Sequence, residues 1–222
     1  MFDRLIHPKA HLYLHLVGLV LIAIGLPLNK VVLSIGTIWI IANWLLEFNF
    51  KEKWERLKSN KLLWVIIALY ALHIISLAWS SDIDYGLKDL NSKLPFLVIP
   101  FVLGTRKALS IQHVKIILIF FILTLIVTSS INFIRFSNIE QKLNYREMSL
   151  FGSHIRYGML IVFGLFTSAF LFFKEQRRIK FIYIFIIGWF ISYTIMSSVF
   201  SALILLGVCV IASLFFIVSS TK

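Results

Sequence analysis

The sequence predicts an all-α, polytopic transmembrane helix bundle of about eight spans, with a short amphipathic helix at the membrane interface after the third span. Three observations predict it. Of 222 residues, 59% are hydrophobic and 14% charged, with a mean hydropathy of +0.91, where a soluble domain carries about 25% charged residues. Apolar runs recur along the whole chain, each close to the ~20 residues that cross a ~30 Å hydrocarbon layer. The 22 Lys and Arg exceed the 10 Asp and Glu and gather in alternate loops, the pattern of basic flanks facing the cytoplasm. These facts exclude a water-soluble globule and a disordered chain. Cys209 is the single cysteine, so a disulfide scaffold is excluded too. The basic excess belongs to the membrane flanks, and no nucleic-acid partner is expected.

The apolar runs lie at 10–28, 31–48, 62–79, 90–105, 115–134, 158–173, 181–197 and 199–218. A basic start before the first run has the look of a signal peptide. No small-x-small cleavage site follows it, and Leu26-Pro27-Leu28-Asn29 leads straight into the next run, so it is expected to stay attached. The fourth run is the weakest. Leu94–Gly104 is short and holds Pro95 and Pro100, which fits either a kinked crossing or a re-entrant segment. Charge separates the two. With eight crossings and a cytoplasmic N-terminus, 15 Lys and Arg lie inside and 7 outside. Without the fourth crossing the count is 11 on each side, and no orientation bias remains. The fourth run is therefore taken as a kinked crossing, both chain ends as cytoplasmic, and residues 1–222 as one transmembrane domain.

The longest polar stretches are Asn49–Lys61 inside, and Ser80–Lys93 and Phe136–Tyr157 outside. In Ser80–Lys93, Ile83, Leu87, Leu90 and Leu94 share one helical side, while Asp82, Asp84, Lys88 and Asp89 take the other. This predicts a helix lying on the membrane surface, started by the capping pair Ser81 and Asp84.

The second outside stretch breaks the charge rule. Arg135, Lys142, Arg146 and Arg156 stand on the side normally cleared of basic residues, with Glu140, Glu147, Tyr145, His154 and Tyr157. Arginine holds phosphate oxygens bidentately and stays charged at physiological pH, so the cluster suits an anionic, lipid-linked ligand. The alternative is a solvated loop whose arginines pair with Glu140 and Glu147 or touch lipid headgroups.

Elsewhere, Asp3, His7, His11 and His15 recur every four residues, a spacing that would align metal ligands on one helix face. Pro8 interrupts the first turn and neutral histidine is at home among headgroups, so no metal is expected. His73, Asn43 and Asn132 lie at membrane depth, where a bond to a neighbouring helix is the ordinary role and a functional site the alternative. His154, two residues before Arg156, could serve as a general base. Trp39, Trp44, Trp54, Trp64, Trp79 and Trp189 are expected as lipid-facing bulk and interface anchors, and Cys209 as a buried apolar side chain.

Three local runs carry a resemblance. They are Ala71–Leu90, containing Trp79-Ser80-Ser81-Asp82; Lys93–Phe101, with its Leu94-Pro95 and Pro100; and Phe151-Gly152-Ser153-His154-Ile155-Arg156-Tyr157-Gly158-Met159. In order and spacing they resemble the N-terminal half of the bacterial O-antigen ligase and polymerase family of inner-membrane proteins. In that family a tryptophan-serine pair and an acidic residue close the third span. An amphipathic linker and a Leu-Pro…Pro segment follow, and an arginine-bearing external loop opens a later span.

The resemblance implies a bacterial inner-membrane, multi-pass protein that works at the periplasmic face. It would transfer a polysaccharide from undecaprenyl diphosphate to an acceptor glycan, such as a lipid A core, without a cofactor or metal. Arg156 is the first candidate to hold the diphosphate, then Arg146, then Arg135, with His154 as candidate base. Guanidinium groups aimed at the diphosphate would stabilise the charge that grows as its bond to the sugar breaks. Relatives carry further spans and a large external loop beyond the point matching Lys222, so the chain is expected to represent the N-terminal part of a longer architecture and to be of doubtful activity alone. Many also have a serine-arginine pair where this chain reads Ser197-Ser198-Val199. The family alternative is a polymerase, with a second lipid-linked glycan as acceptor. The alternative from another class is a non-enzymatic transporter or scaffold that binds anionic lipid through the loop, the prolines of the fourth run being a faint form of a transporter's broken helix.

Overall fold

The computed structural model describes residues 8–138 and 149–220. Among these residues all regular structure is helical: α1 Pro8–Leu28, α2 Lys30–Leu46, α3 Phe50–Ser59, α4 Lys61–Ser76, a 3-10 turn Leu77–Trp79, α5 Ile83–Thr105, α6 Ile111–Asn138, α7 His154–Lys174, α8 Arg177–Ser197 and α9 Phe200–Ser220. Each expected apolar run has become a helix. Several are long and apolar enough to cross a membrane by themselves: Lys9–Leu28, Lys61–Trp79, Ile111–Asn138, His154–Lys174 and Arg178–Ser197. Their exposed faces are apolar. On α4, Leu62, Val65, Leu72 and Ile75 are all more than half exposed, an arrangement that water would penalise and lipid would not.

The eight expected spans and these helices do not correspond one to one. Among the described residues five helices meet the length and apolarity needed, and a sixth is reached only if Lys30–Leu46 and Phe50–Ser59, which meet at 114°, are counted together. α2 alone has 17 residues. The charges of Asp84, Lys88, Asp89 and Lys93 dilute α5.

Two local expectations are corrected. The surface helix and the fourth run are not separate elements, because α5 continues through both, including Pro95 and Pro100. Each proline removes only one backbone donor, and its ring sits against the carbonyl four residues earlier, so a helix supported by packing bends without ending. The cap is also displaced by one residue. Asp82, not Ser81, accepts the Tyr85 N–H at 2.9 Å, the ordinary reach of an N-cap carboxylate. The polar stretch Asn49–Lys61, read only as a loop between spans, contains α3. Its Leu57 is buried, and Glu52 pairs with Arg56 one turn on at 3.2 Å.

The contacts divide the chain into two compact units, one from Met1–Ile22 and Ser34–Val114, the other from Ala23–Leu33 and Lys115–Lys222. In the first unit, Gly36 lies so close to α1 that a β-carbon there would fall 2.8 Å from the Ile22 nitrogen. Such small-residue contacts are what lets helices pack where lipid removes the hydrophobic drive between them. His11 and Asn43 exchange two hydrogen bonds across α1 and α2: the Asn43 Nδ2 donates to the His11 carbonyl at 2.9 Å, and His11 Nδ1 meets Asn43 Oδ1 at 2.8 Å. Asn43 thus makes the bond to a neighbouring helix expected of a polar group at membrane depth. Asp3 and His7 lie outside the described residues, and His15 takes no part in that pair.

Trp44 and Trp189 depart from the anchor role. Trp44 donates to Thr105 Oγ1 at 2.9 Å and lies under the Lys53 ammonium, 4.5 Å from its ring centre. Trp189 donates to Ser129 Oγ at 2.8 Å. An indole N–H inside a bundle needs an acceptor, and these two find one on a neighbouring helix. His73 bonds within its own helix, to the Leu69 carbonyl at 2.9 Å. Cys209 is half-buried.

The second unit holds a tight apolar core of Phe121, Leu125, Ile161, Leu171 and Phe190. Gly164 permits it: a β-carbon there would stand 2.5 Å from Leu125 Cδ1. At one end Lys115 of α6 pairs with Glu175 after α7 at 2.7 Å.

Candidate functional site

The residues nominated from sequence stand where α6 ends and α7 begins, in the second unit. Arg146 falls within 139–148, outside the described residues, as do Glu140, Lys142, Tyr145 and Glu147. The other three are placed. Arg135 is half-buried in the last turn of α6, Arg156 is exposed in the first turn of α7, and His154 is half-buried at the first position of α7.

A stripe of polar side chains runs up α6 to this end. Thr128, Ser129 and Asn132 are buried at a spacing that puts them on one face. Each bonds across to the next helices. Thr128 Oγ1 and the Tyr157 hydroxyl are 2.7 Å apart, while Asn132 Nδ2 donates to the Tyr193 hydroxyl at 3.3 Å and its Oδ1 accepts the Leu150 N–H at 3.1 Å. The rings of Tyr157 and Tyr193 meet edge to face at 5.9 Å. In a dry bundle such groups hold helices in one register because no water can replace a lost partner.

His154 lies above this stripe in a cleft shared with Ser149, Tyr157, Gly158, Tyr193, Ser197 and Val199. The cleft has a volume of about 10 Å³, which admits a single water at most. The Ser149 hydroxyl is buried there without a partner. Arg135 and Arg156 are not among the residues that line the cleft. His154 is thus brought together with two tyrosines and two serines, and not with Arg135 or Arg156. Sequence reasoning named Tyr157 in the outside stretch without a role and missed Tyr193, Ser149 and Ser197. Only the polar spacing on α6 hinted at them.

The start of α7 has a distinct electrostatic character. Ser153 at the N-cap makes no side-chain capping bond and the first turn contains no acidic residue. The same turn carries His154 and Arg156, and neither they nor Arg135 form an ion pair among the described residues. A helix N-terminus carries roughly half a positive charge from its free N–H groups, and a guanidinium there adds to it. An anion would relieve both.

No metal-ligand cluster of three or more His, Cys, Asp or Glu occurs among the described residues. No protein-family model, no curated protein and no solved structure matches the chain.

Proposed function

We propose that this chain is a multi-pass inner-membrane protein of the O-antigen ligase and polymerase type. In this reading it holds a lipid-linked diphosphate glycan at the external membrane face and passes the glycan to an acceptor sugar. The observation that carries the reading is the start of α7, where Ser153 makes no side-chain cap, Arg156 adds positive charge to the helix N-terminus and no described carboxylate neutralises it.

The diphosphate would sit on the exposed side of α7, at Arg156, with Arg135 and Arg146 as further donors. The His154 cleft as it stands is too small for a sugar. His154 would take the proton of the attacking acceptor hydroxyl as that oxygen bonds to the anomeric carbon and the lipid diphosphate leaves. In the reading, all eight apolar helices cross, with α5 the kinked fourth span, and both chain ends lie in the cytoplasm. The 23 residues of α5 reach about 35 Å at 1.5 Å per residue, enough for one passage.

The test is transfer from an undecaprenyl-diphosphate glycan to an acceptor in proteoliposomes, with the chain in full. Arg156→Ala should cut the rate by about 100-fold, and Arg156→Lys should restore little, since a point charge does not replace a forked donor. No binding of the undecaprenyl-diphosphate glycan by the unmodified chain, or equal transfer by the alanine variant, overturns the reading. A lipid-linked glycan accepted in place of a lipid A core identifies the polymerase form.

A further inference from the structure

One feature that this reading does not use is a polar cavity in the first unit. It has a volume of about 420 Å³ and is bounded by α1, the elbow between α2 and α3, and the segment joining α5 to α6. That size lies in the range of small-molecule sites. Its lining includes Lys53, Arg56, Arg106 and Lys107 against two carboxylates, Glu47 and Glu52.

Glu52 is committed, and Glu47 is committed through Oε1, while its buried Oε2 has the Lys53 ammonium at ion-pair distance and no hydrogen bond. Glu47 bonds Arg106 Nη2 at 2.8 Å and lies 3.4 Å from the Lys53 ammonium, and Glu52 pairs with Arg56 at 3.2 Å. Lys53 is further tied to the Trp44 carbonyl and lies over its ring. Donors are left over. Arg106, whose side chain is 8% exposed, has its Nη1 buried without any partner. His15 is 1% exposed, and both of its ring nitrogens are buried and unpartnered. Lys107 is exposed at the rim and makes no ion pair among the described residues.

Buried donors without acceptors are costly to hold in a folded chain, and arginine can only donate. Two such groups, His15 on α1 and Arg106 after α5, with the exposed Lys107 beside them at the rim, define the missing acceptor. It is negative, because the unmet groups are cations and a histidine. It is tetrahedral rather than planar: one prong of the Arg106 fork is spent on Glu47, so the paired grip that suits a carboxylate is incomplete, whereas separate donors from different directions match the oxygens of a phosphate.

We propose that this cavity is a phosphate-binding site, in which Arg106 Nη1, His15 and Lys107 hold the phosphate group of a phosphoester. The aromatic side chains Phe50 and Trp54 on α3 are about half exposed, as befits a helix at a membrane surface, so the phosphate has two possible sources, a soluble ester or a lipid headgroup. The site does not depend on the transferase reading.

The experiment uses the full chain in phosphatidylcholine nanodiscs. Labelled inorganic phosphate is titrated by equilibrium binding, then challenged by discs containing phosphatidic acid or by acetate. Saturable binding is expected, weakened at least tenfold in the double variant E47Q/R106Q, which removes both members of the pair and leaves Lys53 held by the Trp44 carbonyl and ring. His15→Gln should weaken it several-fold. Lys107→Gln, at an exposed position that folding does not need, should do the same. Displacement by phosphatidic acid assigns the site to a lipid headgroup; its failure to displace bound phosphate assigns it to a soluble ester. The proposal is overturned by no saturable phosphate binding, by equal displacement with acetate, or by Lys107→Gln and any folded variant binding as tightly as the parent.

Discussion

Asn132 and Tyr193 are joined across α6 and α8 by a hydrogen bond of 3.3 Å, and the same Asn132 amide accepts the Leu150 N–H at 3.1 Å. One buried side chain therefore holds a helix and the segment leading to α7 together. Asn132→Leu would leave the Leu150 N–H without its acceptor and the Tyr193 hydroxyl without its donor. The expected loss is about 1–3 kcal/mol, read as a lower melting temperature in detergent. A melting temperature equal to that of the parent would show that the amide does not support this end of the bundle.

Gly164 permits the contact of α7 with Leu125, which is fully buried. Gly164→Leu should destabilise the chain by about 1–3 kcal/mol through overpacking. The measurement is thermal unfolding followed by helical signal. Tolerance of leucine at this position would mean that α6 and α7 are not in close contact there.

Ser198, the first residue after α8, has φ 50° in the left-handed region. A side chain raises the energy of that conformation. Ser198→Gly should stabilise by about 0.5–1 kcal/mol, visible as a higher melting temperature. A loss of stability would argue against the tight turn.

Lys53 gives a pH dependence with a definite sign. Burial lowers its pKa below the ordinary lysine range, and the Glu47 charge opposes that shift in part. The unfolded chain thus binds this proton more readily than the folded one. The resulting destabilisation is fully present below the folded value and fades as pH rises towards the ordinary lysine value of about 10.4. Comparison of melting curves for the parent and Lys53→Met should show the parent gaining stability relative to the variant across that window. Parallel curves would place Lys53 in water.

The eight-crossing topology has its own test. In a chain with Cys209 replaced by alanine, a cysteine introduced at position 145 should react with an impermeant reagent from outside the cell, and one at position 177 should not. The reverse pattern would invert the orientation and remove Arg156 from the external face.

Every helix except α3 was legible in advance, because a run of apolar residues long enough to cross a membrane satisfies its backbone internally and needs no partner to declare itself. Asn43 and Asn132 could be marked as buried polar groups for the same reason, from depth alone. The partners were not legible. That Asn43 meets His11, that Trp44 meets Thr105, and that Glu47 meets Arg106 depends on which helix faces reach each other, over separations of 32, 61 and 59 residues. The continuity of α5 through two prolines, and the gathering of unspent donors around one cavity, likewise follow from neighbours in space. Local pattern determined where the chain is helical and apolar; packing decided which polar groups are satisfied and which are left waiting for a ligand.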